Sequence, residues 1–209
     1  MAHVVEVAHP LVAHHLTRLR DVDTQPEDFR RLVARLAVLL AYEATQDLTL
    51  EDVRVQTPLT ETGGKQLAQR IGLVPILRAG LGMVAPILDL IPSAEVWHLG
   101  LYRDEATAQP VQYYSKLPGH QPVDVALVID PMLATGGSAT AAIELLGRWG
   151  VKSVSLLSII AAPEGVAAVH EQFPDVRIHV CTIDERLNDR KFIVPGLGDA
   201  GDRIFSTLS

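Results

Sequence analysis

The fold is decided by the stretch Val125-Ala-Leu-Val-Ile-Asp-Pro-Met-Leu-Ala-Thr-Gly-Gly-Ser138. Its apolar, β-branched start predicts a buried strand, and its Thr-Gly-Gly-Ser end predicts a tight turn into a helix. The backbone N–H groups of such a turn and the positive end of the helix dipole form a cradle for a phosphate. Asp130, at the end of the strand, can accept hydrogen bonds from a sugar diol. The stretch therefore predicts a ribose phosphate site.

A simpler interpretation of the same turn is purely structural. Ser138 would then be the N-cap of the helix, and the two glycines would only relieve backbone strain. For a lone Thr-Gly-Gly-Ser sequence we favour this interpretation. The acid placed directly before the turn shifts the balance toward a ribose phosphate site.

Runs with the composition of strands and helices alternate on both sides of this stretch. The predicted strands are 73–77, 96–102, Val125–Ile129, 154–160 and 176–182. The predicted helices are 26–47, Leu81–Leu90, 138–149 and 163–173. Buried strands alternating with helices are typical of a parallel sheet that is covered on both faces. We therefore predict an α/β fold with a central parallel sheet flanked by helices, around which N-terminal helices and the C-terminal tail pack.

Two further strand ends carry arginines, and ligands of such sheets bind beyond the carboxyl ends of the strands. Arg78 follows the strand 73–77 and precedes a glycine-rich turn, a combination that suits a diphosphate. Arg103 follows the strand 96–102 and opens a polar segment that is long enough to be a binding loop. The alternatives are a surface ion pair for Arg78 and a solvated loop after Arg103.

The composition excludes several classes of protein. The chain has 209 residues, which suits one globular domain, and its net charge of −7 gives no general attraction for nucleic acid. No apolar run is long enough to span a bilayer, and the start of the chain has no signal-like pattern. We therefore expect a cytoplasmic protein that binds neither nucleic acid nor membrane. The histidines and the single Cys181 lack metal-ligand spacing.

One motif points elsewhere and is rejected. Gly196-Leu-Gly-Asp-Ala-Gly201 fits the G-x-G-x-x-G pattern of dinucleotide-binding proteins. That pattern also needs a following helix, a second strand and an acid about 20 residues further on. Only the few residues up to Ser209 remain after it. We interpret these glycines as a loop whose main chain can approach a flat ligand.

Three stretches of the chain closely resemble uracil phosphoribosyltransferases. They are Ile129-Asp-Pro-Met-Leu-Ala-Thr-Gly-Gly-Ser138, Pro75-Ile-Leu-Arg-Ala-Gly-Leu-Gly82 and Pro195-Gly-Leu-Gly-Asp-Ala-Gly-Asp202. In most related phosphoribosyltransferases two adjacent acids end the strand, whereas Asp130 is followed by Pro131, which looks like the uracil-specific branch. The chain departs from the family pattern at Phe192, where a Tyr is common, and over residues 52–72.

The resemblance implies a function and an organisation. The function is the transfer of ribose 5-phosphate from 5-phosphoribosyl 1-diphosphate (PRPP) to uracil, which gives UMP and diphosphate in pyrimidine salvage. The organisation is a single domain over residues 1–209, with a core at about 70–182 and a base-binding hood at about 183–209. Mg²⁺ is the implied cofactor, held mainly by the substrate diphosphate rather than by a metal site of the protein. A homodimer or larger homo-oligomer is also implied, and regulation by a GTP effector stays open.

The resemblance also implies roles for individual residues. The implied catalytic residues are Arg78, Arg103, Asp130 and Asp199. The implied PRPP-binding residues are Arg78, Ala79, Gly80, Arg103, Asp130, Pro131, Met132, Leu133, Ala134, Thr135, Gly136, Gly137, Ser138 and Asp199. The implied uracil-binding residues are Ile193, Gly198, Asp199 and Ala200, whose main-chain atoms would read the base.

Two rival functions stay open. A phosphoribosyltransferase for another base would share the phosphate turn and differ in the tail. A nucleotide-sensing regulator would keep the fold without catalysis, although the presence of Arg78, Arg103 and Asp199 counts against it.

Overall fold

The computed structural model describes residues 4–103, 110–115 and 121–207, and it gives only the backbone for 100–103 and 110–115. Its strands are β1 (Val4–Glu6), β2 (Leu50–Gln56), β3 (Glu61–Leu67), β4 (Ile71–Pro75), β5 (Glu95–Val96), β6 (Leu99–Arg103), β7 (Pro110–Ser115), β8 (Val125–Ile129), β9 (Met132–Leu133), β10 (Ser153–Ala161), β11 (Arg177–Ile183), β12 (Arg186–Leu187) and β13 (Ile193–Val194). Its helices are α1 (Pro10–Arg20), α2 (Pro26–Ala44), α3 (Leu81–Leu90), α4 (Gly137–Trp149), α5 (Pro163–Gln172) and α6 (Ala200–Phe205).

The main sheet is parallel and has seven strands within the described residues. Its order is β1-β11-β10-β8-β4-β5, with β9 also paired to β10. The register places Leu73 of β4 beside Leu127 of β8, and Leu127 beside Ser155 of β10. All side chains of β4 and β8 are buried, because helices cover both faces of the sheet. The predicted fold class is confirmed.

Two apolar cores lie on opposite faces of the sheet. One core packs α1, α2, α3 and α6 against the face that carries Leu73 and Leu127. The other packs α4 and α5 against the face that carries Val74 and Val128. Leu36 and Leu40 of α2 are fully buried, as the helical spacing of its apolar residues predicts. Helices therefore cover both faces of the sheet.

The prediction of one core strand over 96–102 is wrong. Glu95–Val96 pairs with β4, and the N–H of Trp97 donates to the carbonyl of Leu73. Leu99–Arg103 then pairs with β7 in a separate antiparallel sheet, apart from a single parallel bridge between Leu99 and Ile76. The sequence did not reveal this change of partner strand, because the run is apolar throughout and both of its halves are β-structure.

The remaining boundaries differ by few residues, and some elements were not predicted. The helix predicted over 26–47 ends at Ala44, after which Thr45 donates its hydroxyl to the carbonyl of Ala41. The N-terminal strand β1 joins the sheet edge beside β11, where only helices were expected. The diverged stretch contains most of the exposed hairpin of β2 and β3. No helix in the described ranges is both long enough and apolar enough to cross a bilayer.

Candidate active site

A cavity of about 520 Å³ opens at the carboxyl edge of the sheet. The residues that line it are Ile76, Leu77, Arg78, Ala79, Asp130, Met132, Ala134, Ser138, Arg190, Lys191, Phe192, Ile193, Gly198, Asp199, Ala200 and Gly201. They come from the ends of β4 and β8, from the start of α4 and from the C-terminal part of the chain. A single cavity thus joins regions that the sequence marked separately.

Asp130 lies at the base of this cavity, directly after β8. Its N–H donates to the carbonyl of Leu157 in the neighbouring strand, which fixes its position. Burial, and to a smaller extent the nearby charge of Asp199, raises the pKa of its carboxyl to about 7. A hydrogen bond at 3.4 Å from the Met132 N–H opposes this rise. Near neutral pH, a cationic or hydrogen-bonding ligand that binds beside this carboxyl can therefore change its charge.

The turn that leads into α4, residues 134–138 and hereafter the α4 turn, keeps its first amides open. The N-cap is Gly136 in the left-handed region at φ 81°, and no side chain caps the helix. Ser138 lies inside the helix, so the structural interpretation in which it is the N-cap is wrong. A Cβ added at Gly136 would lie 2.9 Å from the carbonyl oxygen of Gly165, so the main chains of the two segments touch. Open amides and the helix dipole suit a phosphate.

Arg78 borders the opposite side of the cavity, after β4. The turn behind it is tightly packed, since a Cβ at Gly80 would lie only 2.4 Å from the carbonyl oxygen of Ile129. The guanidinium donates to a carboxylate oxygen of Asp202 at 3.0 Å and to the hydroxyl of Thr207 at 3.3 Å. Hydrogen bonds from Thr207 and Arg78 hold the pKa of Asp202 below its usual range. The surface ion pair considered as an alternative for Arg78 therefore exists, and it lies at the mouth of the cavity.

The C-terminal part of the chain folds over the cavity through β12, β13 and α6. We call residues 193–201 the hood loop. Gly196 and Gly198 adopt positive φ values of 65° and 79°, which favour glycine. Asp199 is the N-cap of α6 and accepts a hydrogen bond at 2.9 Å from the Asp202 N–H. In the described part of the chain, the amides of Gly198 and Ala200 have no hydrogen-bond partner.

Two arginines hold the hood loop from behind. Arg20 of α1 forms a bidentate ion pair with the buried Asp184 and donates to the carbonyl of Gly196 at 2.7 Å. Arg203 of α6 donates to the carbonyl of Leu197 at 2.9 Å. The sequence analysis did not identify Arg20, Asp184 or Arg203. Asp184 directly follows β11, so the strand-end rule that selected Asp130 would have selected it as well.

The structure brings together most but not all of the predicted site residues. Those that line the cavity are Arg78, Ala79, Asp130, Met132, Ala134, Ser138, Ile193, Gly198, Asp199 and Ala200. Gly80, Pro131, Leu133, Thr135, Gly136 and Gly137 belong to the surrounding turns and do not line it. The side chain of Arg103 lies outside the described residues, although its backbone ends β6. Arg190, Lys191 and Phe192 line the cavity and were not predicted to bind a substrate.

Within the ranges that the structure describes, no group of three or more His, Cys, Asp or Glu side chains is arranged to hold a metal. Asp130 and Asp199 are the carboxylates that face the cavity. Mg²⁺ commonly binds through one or two carboxylates and the oxygens of a phosphate substrate. The donor set therefore fits an ion that arrives with its substrate.

Comparisons with known proteins agree with this geometry. A family model described as uracil phosphoribosyltransferase matches residues 5–207. A protein of that name from Roseiflexus castenholzii is 62% identical over 199 residues, which cover 95% of this chain and 96% of the relative. A solved structure of the AQ2163 protein from Aquifex aeolicus has a TM-score of 0.92 at 40% identity and covers 97% of this chain and 98% of its own.

A more distant solved structure shows how far the fold extends. The hypoxanthine phosphoribosyltransferase of Staphylococcus aureus has a TM-score of 0.51 at 14% identity. The match covers 83% of this chain and 81% of the other. At this identity the likeness concerns the fold alone.

Proposed function

The chain belongs to the uracil phosphoribosyltransferase family, and from this premise we propose how its cavity transfers ribose 5-phosphate from PRPP to uracil. The products are UMP and diphosphate, and the enzyme is a pentosyltransferase of pyrimidine salvage. The observation that carries the proposal is the convergence of Arg78, Asp130, the α4 turn and the hood loop on one cavity. In this proposal Arg78 binds the diphosphate, Asp130 the ribose, the α4 turn the 5-phosphate and the hood loop the base.

The α4 turn binds the 5-phosphate of PRPP. Residues 134–138 surround the open N-terminus of α4, where amides and the helix dipole favour an anion. Pro131, Met132 and Leu133 connect this turn to Asp130, so their main chain sets the distance between ribose and phosphate. Glycine is required at position 136 because its φ of 81° is left-handed and because a Cβ there would lie 2.9 Å from the carbonyl oxygen of Gly165. The phosphate then fixes one end of the substrate.

Arg78 binds the diphosphate together with the main chain of Ala79 and Gly80. In the structure its guanidinium is paired with Asp202 and Thr207, which keeps it at the mouth of the cavity. A diphosphate carries more negative charge than Asp202 and accepts paired donors from the guanidinium. Arg103, the last residue of β6, binds the same group in this proposal. The two cations stabilise the charge that the leaving diphosphate gains as its bond to the anomeric carbon breaks.

Asp130 holds the hydroxyls of the ribose and opposes the positive charge that develops on the sugar. Burial raises the pKa of its carboxyl to about 7. Binding of the diol and the growth of cationic character both favour the carboxylate form. Asp199 lies between ribose and base, with its position fixed by the cap that it provides to α6. The base nitrogen then meets the anomeric carbon in a fixed orientation.

The hood loop reads the base through its main chain. The unpaired amides of Gly198 and Ala200 can donate to the oxygens of uracil, and Ile193 and Asp199 complete the base site. Mg²⁺, when bound with PRPP, supplies charge that stabilises the leaving diphosphate. Asp130 and Asp199 are the residues whose charge would favour that ion, which the substrate itself mainly holds.

We also propose the domain organisation, the location, the oligomeric state and the regulation of the protein. The core spans about 70–182 and the base-binding hood about 183–209. The protein is cytoplasmic, its partners are its small-molecule substrates, and it forms a homodimer or larger homo-oligomer. Exposed apolar side chains on the β2–β3 hairpin, namely Leu50, Val55, Leu59 and Leu67, support self-association. GTP acts as an effector, which a titration of activity with GTP tests.

The decisive experiment incubates the pure protein, Mg²⁺ and PRPP with a panel of bases. Uracil is expected to give UMP, whereas adenine, guanine and orotate are expected to give no nucleotide. Chelation of Mg²⁺ is expected to abolish the reaction. Faster conversion of another base would favour the phosphoribosyltransferase alternative, and no conversion of any base would favour the nucleotide-sensing alternative.

A further inference from the structure

The hood loop has a front that faces the cavity and a back that does not. Ile193 and the residues from Gly198 to Gly201 line the cavity, whereas Gly196 and Leu197 do not. Leu197 is only 4% exposed and packs in the apolar core. The polar groups of the loop divide in the same way. On the front, the amides of Gly198 and Ala200 have no hydrogen-bond partner among the residues that the structure describes, and on the back, the carbonyls of Gly196 and Leu197 accept bonds from side chains.

The back of the loop is held by an ion pair that is mostly buried. The side chain of Asp184 is 3% exposed and that of Arg20 is 24% exposed. One oxygen of Asp184 accepts from Arg20 at 2.8 Å and from the Gly196 N–H at 2.9 Å. Arg20 in turn donates to the carbonyl of Gly196 at 2.7 Å. Both main-chain polar groups of Gly196 are therefore fixed by this one pair.

Arg203 holds the next residue in a similar manner. Its guanidinium donates to the carbonyl of Leu197 and to the carbonyls of Leu19 and Asp21 at the end of α1. The group also lies 4.3 Å from the centre of the Phe29 ring. Two successive carbonyls of the hood loop are thus connected to the same end of α1. A shift of α1 would move the loop with it.

We infer that Arg20 and Asp184 are positioning residues for base recognition, which act by fixing Gly196 so that the amides of Gly198 and Ala200 meet uracil. The inference rests on the proposed role of the hood loop as the base site. Neither residue lines the cavity, so neither touches the substrate. A hydrogen-bonding site discriminates only when its donors and acceptors are held in place, and small displacements of them are costly.

The test variant is Arg20→Lys. A lysine ammonium can still neutralise Asp184, but it lacks the planar fork that bonds both carboxylate oxygens and the Gly196 carbonyl together. The KM for uracil is expected to rise about 10- to 100-fold, while the KM for PRPP changes less than about threefold. The preference for uracil over cytosine is expected to fall. Asp184→Asn, which keeps the shape of the side chain, is expected to have the same effects.

The matched control lies on the same strand at its opposite end. Arg177, the first residue of β11, pairs with Asp47, whereas Asp184 follows the last residue of that strand. Arg177→Lys therefore changes an arginine–aspartate pair far from the cavity. It is expected to leave the KM for uracil and the base preference unchanged. Melting temperatures of all variants separate a loss of fold from a loss of base recognition.

The variants also test whether the two residues act through one element. Since both fix Gly196, the variant that combines Arg20→Lys with Asp184→Asn is expected to raise the KM no further than the stronger single change. The inference would be overturned if the rise in KM of the combined variant equalled the product of the two single rises. A lower kcat with an unchanged KM for uracil would overturn it as well. In either case a wild-type protein that makes UMP leaves the proposed function standing. A wild-type protein that makes no UMP would remove both.

Discussion

The α4 turn and the hood loop are both rich in glycine, yet they obtain their shapes in different ways. The α4 turn is short, lies between β8 and α4, and is fixed by its own backbone and by close contact of Gly136 with Gly165. The hood loop is fixed by side chains of three other places in the chain, namely Arg20 of α1, Asp184 after β11 and Arg203 of α6. Arg20 is 176 residues away from Gly196 in sequence. A phosphate is a simple anion that a local turn can bind. A base requires donors and acceptors in a fixed order, which here needs support from a distant helix.

The largest expected effect concerns the hood loop and cytosine. A main-chain carbonyl that accepts from N3–H of uracil and an amide that donates to O4 would both be left unpaired by cytosine. Such mismatches give discrimination of about 10⁴-fold. The ratio of kcat/KM for the two bases measures it. Comparable values for uracil and cytosine would show that the loop does not read this edge of the base.

The same comparison in Leu197→Ala sharpens the prediction. Leu197 is a core residue, so its truncation is expected to cost about 2–5 kcal/mol of stability. Its carbonyl remains available to Arg203, and the main chain of the loop is unchanged in sequence. The preference for uracil is therefore expected to persist even though the melting temperature falls.

The next effect in size concerns Asp130→Asn. The amide fills the same space but lacks the charge that opposes the cationic sugar, so kcat is expected to fall about 10²- to 10³-fold. The melting temperature at pH 8 is not expected to fall, because the buried carboxylate is itself unfavourable there. Asp175→Asn, at an exposed position away from the cavity, serves as the control. Equal turnover in Asp130→Asn and wild type would exclude Asp130 from the mechanism.

A smaller effect is expected for Gly136→Ala in the α4 turn. The left-handed backbone costs about 1–2 kcal/mol with a Cβ, and the Cβ would also press on the carbonyl of Gly165. The KM for PRPP is expected to rise, while the preference among bases stays the same. Gly147→Ala lies in the same helix with nothing within 4 Å of the new Cβ, and it is expected to be neutral or stabilising. A changed base preference in Gly136→Ala would contradict the separation of the two regions.

The last expected effect concerns stability alone and is its pH dependence. The carboxyl of Asp130 has a pKa of about 7 in the folded protein, compared with about 4 in the unfolded chain. The proton therefore binds the folded state more tightly, and its stabilisation is complete below about pH 4 and lost as the pH rises to about 7. Relative to wild type, the melting temperature of Asp130→Asn should rise across this window. A constant difference between pH 4 and 8 would show that the carboxyl is not perturbed.

Much of the core was predictable because its determinants are local. Val125–Ile129 and Leu81–Leu90 have the predicted bounds, since an apolar run or a helical repeat contains the information that is needed. Asp130 and Arg78 meet in one cavity because parallel strands end at one edge of the sheet. The prediction of one core strand over 96–102 failed because hydropathy does not specify which strand is the partner.

The support of the hood loop was not predictable in this way. Arg20 and Asp184 are separated by 164 residues, and no periodicity relates an arginine at the end of one helix to an acid after a strand. Arg203 sits in a six-residue helix that was not predicted, and its partners are carbonyls, which every residue carries. Such contacts depend on tertiary packing alone.

The connection of α1 to the hood loop has a consequence for the order in which the enzyme is made. A ribosome releases α1 early, but Gly196 and Leu197 emerge only after the whole sheet has been synthesised. The α4 turn can form as soon as β8, α4 and the start of α5 are available. The hood loop, our proposed base site, is therefore the last part of the cavity to be completed during translation. If the two regions have the roles that we propose, a nascent chain that stops short of the hood would hold a phosphate turn but would not yet distinguish one base from another.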